Sequence, residues 1–139
     1  LIEHIETRNT DVNSYLVALD ELAFQMNSLN PSKGVPTNFD ASRSDEAEVR
    51  KNAKSTFPKW GFYNEALPVS EKIGEADLGI GDAIDDVVDI TRELKSAYWL
   101  YQNSSKEEAE LALKESYENH WRSHLRGLQY YLANAANGV

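Results

Sequence analysis

Residues 81–101, GDAIDDVVDITRELKSAYWLY, carry two patterns on one repeat. On a wheel turning about 100° per residue, Asp82, Asp85, Asp86, Asp89 and Glu93 fall within about 100° of arc. Ile84, Val87, Val88, Thr91, Leu94 and Tyr98 take the opposite side. That spacing predicts a helix from about residue 82 to 101, with its acids away from the main apolar stripe. An exposed face or a groove follows, rather than a fully buried site.

The rest of the chain keeps the same period. Leu1, Ile5, Val12, Tyr15, Leu16, Leu19, Leu22, Ala23, Met26 and Leu29 predict a first helix over about 2–29. NPSKGVPTNFDASRS, residues 30–44, reads as a loop, because proline, glycine and small polar residues dominate it. Ser44 is placed to cap a second helix over about 44–66, with Val49, Ala53, Phe57, Trp60, Tyr63 and Leu67 in phase. Pro58 removes a backbone donor inside that span, so the helix is expected to be kinked or split there. Residues 67–81, LPVSEKIGEADLGIG, read as a second loop, with Gly79 and Gly81 turning the chain into the third helix. Ser105 with Glu108 forms a capping-box pair that opens a last helix over about 105–134. No β alternation of useful length is visible. The expectation is a single all-α domain over 1–139, an antiparallel bundle of four long helices.

Composition narrows the class of function. Three Trp, seven Tyr and four Phe in 139 residues, with 41% hydrophobic residues, describe a chain with a core. The formal net charge of −9 argues against binding nucleic acid or an anionic membrane, both of which need a basic surface. A protein partner with a basic surface, a second copy in a homodimer, or a cation suits it better. Between Glu71 and Glu93 eight acids face two bases, a net of −6. There is no cysteine, so thiolate ligands and thiol nucleophiles are absent. No apolar run reaches the length of a membrane span and no signal peptide is visible, so a cytoplasmic setting is expected.

Like charges one helical turn apart repel by about 0.2–0.5 kcal/mol per pair, and 82/86, 85/89 and 89/93 are such pairs. The helix dipole offsets this for Asp82, Asp85 and Asp86, but Asp89 and Glu93 lie too far along the helix. A cation near them is wanted: a divalent metal such as Mg²⁺, Mn²⁺ or Zn²⁺, or arginine and lysine from a partner or another helix. The second constellation is YENHWRSHL, residues 117–125. His120 and His124 are four apart, a spacing that puts two imidazoles on one helix face, as paired metal ligands require. The same spacing also suits two rings packed at a core edge and held by neighbouring carboxylates. In an antiparallel pair of helices, Asp82, Asp85 and Asp86 approach His124 while Asp89 approaches His120. Trp60, Trp99 and Trp121 read as packing residues, and Gly127 as a place for close helix approach.

GDAIDDVVDI together with HWRSH resembles a bacterial family defined as domain of unknown function 5063, whose members pair a GDAxDDLxDI-type segment with HWxxH. YNEALP, residues 63–68, resembles that family's LYxxALxLP stretch. Arg122 stands where the family pattern has glycine after the tryptophan. The resemblance implies a helical fold and shared polar positions at Asp82, Asp85, Asp86, Asp89, His120 and His124. Two functional expectations follow. One is a small acidic, noncatalytic protein-binding module with an Asp/His network between its third and fourth helices. The alternative is a metal-dependent hydrolase of phosphate esters or nucleotides using Asp82, Asp86, Asp89, His120 and His124.

Overall fold

The computed structural model describes residues 11–33, 41–67 and 73–136. Helix α1 spans Val12–Ser28, α2 Glu46–Thr56, α3 Ala83–Asn103 and α4 Lys106–Ser116. A single π-helical turn, Tyr117–Trp121, joins α4 without a break to α5, Arg122–Ala136. Two strands, β1 Phe62–Leu67 and β2 Asp77–Asp82, pair antiparallel ahead of α3. The fold is mostly helical, as the sequence predicts.

Helices α1 to α4 each start on a side chain suited to that work. Asp11 caps α1 by accepting from the backbone N–H groups of Asn13 and Ser14, Asp45 rather than Ser44 caps α2, and Asp82 caps α3. Ser105 caps α4 by accepting from the Glu108 N–H at 3.1 Å. The Glu108 carboxylate accepts from Ser104 Oγ, so the capping pair expected from the sequence involves both serines.

Cross-helix pairs fix the directions. Arg50 meets Asp85 at 2.6 Å while Glu46 meets Arg92 at 3.1 Å, so α2 runs antiparallel to α3. His124 meets Asp86 and His120 meets Glu93, so α3 runs antiparallel to the last helix. Tyr117 reaches Asn27 and Gln129 reaches Asp20, which orients α1 against that same helix. Tyr15, Leu19, Ala23 and Met26 of α1 and Trp121, Leu125, Leu128 and Leu132 of the last helix meet in one core. Each large side chain buried there stabilises the fold by about 1.5–3 kcal/mol.

The chain corrects the expected second helix. It ends at Thr56, and Pro58 sits in a tight turn closed by Trp60 N–H donating to Phe57 O at 3.1 Å. Trp60 stacks on Phe57 with ring centroids 3.8 Å apart and planes 10° apart, and Tyr15 meets both rings edge-on. That aromatic knot redirects the chain into β1 instead of letting the helix continue. The second predicted loop is in part β2, paired so that Tyr63 lies opposite Gly81. The hairpin hid in the sequence because its outer face is apolar and exposed: Phe62, Leu78 and Ile80 point to solvent. Alternation with polar residues outward, the usual mark of a half-buried strand, is missing. The part of the first predicted helix before Asp11 lies outside the described residues.

A second correction concerns α3. Of the stripe predicted from the wheel, Ile84, Val87, Val88 and Thr91 are buried and Leu94 packs against the core, but Tyr98 is exposed. Ile90, Ala97, Leu100 and Asp86 are buried as well, so this helix is covered on most of its circumference over its first half. It is the central helix, packed by α2 on one side and by α4 and α5 on another.

Candidate metal centre

Asp86, Asp89 and Glu93 of α3, His120 and His124 of the last helix and Tyr63 of the hairpin form one connected set. Asp86 is 5% exposed, and both its oxygens are engaged. Oδ2 accepts from the Tyr63 hydroxyl at 2.6 Å, and Oδ1 lies 2.8 Å from His124 Nδ1. A carboxylate can only accept, so the proton lies on His124 Nδ1. His120 repeats the arrangement with Nδ1 3.1 Å from Glu93 Oε1. Both rings then turn Nε2 toward a single atom, Asp89 Oδ2, at 3.2 Å from His124 and 3.9 Å from His120.

Local structure explains how the two rings come together. The π turn at Tyr117–Trp121 replaces the usual bond with one from Arg122 N–H to Tyr117 O, five residues back. Trp121, fully buried, donates Nε1–H to Ser116 Oγ at 3.0 Å. With Tyr117 and Trp121 both in the core, His120 and His124 turn toward α3, their ring centroids 5.2 Å apart.

The electrostatics follow from burial and pairing. The hydrogen bond to Asp86 raises the His124 pKa above its ordinary 6.5, against the opposing effect of burial, and Asp89 adds to the rise. Burial pushes the Asp89 carboxyl up, while His124 pulls it back. Tyr63 is also raised, by burial first and then by Asp86, so its hydroxyl stays protonated as a donor.

The structure distributes the residues singled out from the sequence among distinct tasks. Asp89, His120 and His124 each offer a ligand atom, and those atoms lie within 4.8 Å of one another. Asp86 stands behind His124. Asp82 is spent on the helix cap, accepting from Ile84 and Asp85 N–H groups at 2.9 and 3.3 Å. Asp85 pairs with Arg50. Glu93, whose charge the dipole left unexplained, holds His120. Asp86 departs from the predicted exposed placement, because the hairpin covers that side of α3 through Tyr63. Sequence spacing places Tyr63 at an apolar helix position, so nothing in it aims the hydroxyl at Asp86, and it marks Glu93 as an acid in want of a cation without identifying His120 as its partner.

Beside Tyr63 a cleft of about 590 Å³ opens between the hairpin and α5, lined in part by Leu78, Ser123, Arg126, Gly127 and Tyr130. Gly127 faces the Tyr63 hydroxyl of the hairpin first and Asp86 Oδ2 of α3 next, so the close approach it permits involves both.

No protein-family model matches the chain, and no curated protein matches it. Among solved structures it is similar to protein BF1032 from Bacteroides fragilis, with a TM-score of 0.71 at 17% identity over 96% of this chain and 82% of that one. At that identity the likeness supports the fold alone. Among the described residues no helix is long and apolar enough to cross a membrane.

Proposed function

We propose that this is a metal-binding helical protein that holds one divalent first-row transition ion on Asp89 Oδ2, His120 Nε2 and His124 Nε2. One observation carries the reading: each imidazole is pinned at Nδ1 by a carboxylate and aims Nε2 at the same Asp89 oxygen. Outer carboxylates that fix the tautomer and direction of a histidine ligand are a general feature of such sites. Tetrahedral ligation with bonds of about 2.0–2.2 Å separates donor atoms by about 3.4 Å. The separations of 3.2 and 3.9 Å fall on either side of that value.

Two imidazoles and one carboxylate suit Zn²⁺, Fe²⁺ or Mn²⁺ better than Mg²⁺, which prefers oxygen donors and retains water. Three protein ligands leave positions for water or substrate, the arrangement that supports hydrolysis. Metal-dependent hydrolysis is therefore the activity this donor set would serve.

A second reading has its own support, because the network is satisfied without an ion. A protonated His124 bridges Asp86 and Asp89 and supplies the cation itself, which fits a noncatalytic module presenting its acidic surface to a basic protein partner. Thermal unfolding separates the two. Under the metal reading, Zn²⁺ or Mn²⁺ at about 100 times its Kd stabilises the protein by about 2.7 kcal/mol. Asp89→Asn and His120→Ala should each remove that rise. If no divalent ion moves the midpoint, yet His124→Ala still destabilises, the structural network is the function of the cluster.

A further inference from the structure

Tyr63 sits where it does because two glycines leave room for it. A Cβ at Gly81 would overlap the Tyr63 ring, and one at Gly127 would overlap its hydroxyl. These glycines lie on β2 and α5, and the space they leave lets the phenol reach Asp86 Oδ2. Without that donor, Oδ2 would be a buried acceptor with nothing to accept, and the carboxylate would be free to turn. The ring packs on its own account, 5.6 Å from Tyr131 and 6.4 Å from Tyr130 between centroids. Ring packing alone does not require the hydroxyl to meet Asp86.

We infer that Tyr63 is a positioning residue for the metal centre: its hydroxyl locks Asp86 so that His124 keeps its proton on Nδ1 and presents Nε2 to the ion. The inference rests on the metal reading above. It makes the hairpin, which contributes no ligand, part of what sets metal affinity. Loss of an outer partner of a ligating histidine typically weakens binding about 10–100-fold, and Tyr63 acts one hydrogen bond further out. An effect of about tenfold is therefore expected.

The test is a Co²⁺ titration of the whole chain and its variants, followed by visible absorption. Tyr63→Phe keeps the ring, and Gly127→Ala keeps the hydroxyl but displaces it, so each should weaken Co²⁺ about tenfold. The double variant should be no weaker than either single, since both act through one contact. Tyr131→Phe is the control: its hydroxyl accepts from Gly61 N–H at 3.1 Å, while the two Asp86 oxygens go to Tyr63 and His124, so affinity should hold. In the metal-free protein at alkaline pH, ¹⁵N NMR should find the His124 proton on Nδ1 in the wild type and shared between both nitrogens in Tyr63→Phe. A merely structural role would not move that tautomer. Wild-type affinity in Tyr63→Phe, or lost affinity with the tautomer unchanged, overturns the inference and leaves the metal reading standing. Failure of the unaltered protein to bind Co²⁺ removes both.

Discussion

Asp86 shows how one carboxylate can be buried without being stranded. Tyr63 and His124 fill its two oxygens, so the desolvation cost is offset by two hydrogen bonds, one of them charge-assisted. Asp86→Ala would leave the Tyr63 hydroxyl and His124 Nδ1 without their acceptor in a part-buried setting, and a loss of about 2–4 kcal/mol in urea unfolding is expected. His124 adds a pH dependence to the metal-free protein. Its folded pKa is raised above the unfolded value of 6.5, so its stabilising contribution is complete below that pH and is lost as pH rises through the folded value. Denaturant midpoints should thus fall as pH rises from 6.5 through the folded value, and His124→Gln should flatten the profile. Metal affinity should run the other way, increasing as the ring loses its proton.

Among the elements, the π turn and the hairpin matter most to the site. Ser116 Oγ takes the indole N–H of the fully buried Trp121 at the start of that turn. Ser116→Ala should cost about 1–3 kcal/mol in thermal or urea unfolding by leaving that donor without its acceptor. The helices were legible in the sequence because their apolar repeats and caps agree: Asp82 and Ser105 begin helices where the spacing says they should. The hairpin was not, because the phase of Trp60, Tyr63 and Leu67 mimics a helix while Leu78 and Ile80 face solvent. The metal candidates were legible as residue types and spacing. Their division into donor atoms, orienting carboxylates and caps depends on cross-helix register, which no single segment encodes.

At the scale of the molecule, α3 is both the central helix of the core and the source of most acids of the cluster. One helix can do both because its buried arc is wide and its acids meet specific partners: Asp85 with Arg50, Asp86 with Tyr63 and His124, Glu93 with His120. Asp89 alone in that row lies between two imidazole nitrogens, the place where a divalent cation would relieve the repulsion along the helix. The measurement that bears most directly on this is zinc X-ray absorption on protein loaded with one equivalent of Zn²⁺ and freed of excess by gel filtration. The expected spectrum has a nitrogen and oxygen shell at about 2.0–2.1 Å with imidazole scattering from two histidines, lost in His120→Ala/His124→Ala. Zinc that washes away, or a shell of oxygens without imidazole, would contradict the assignment.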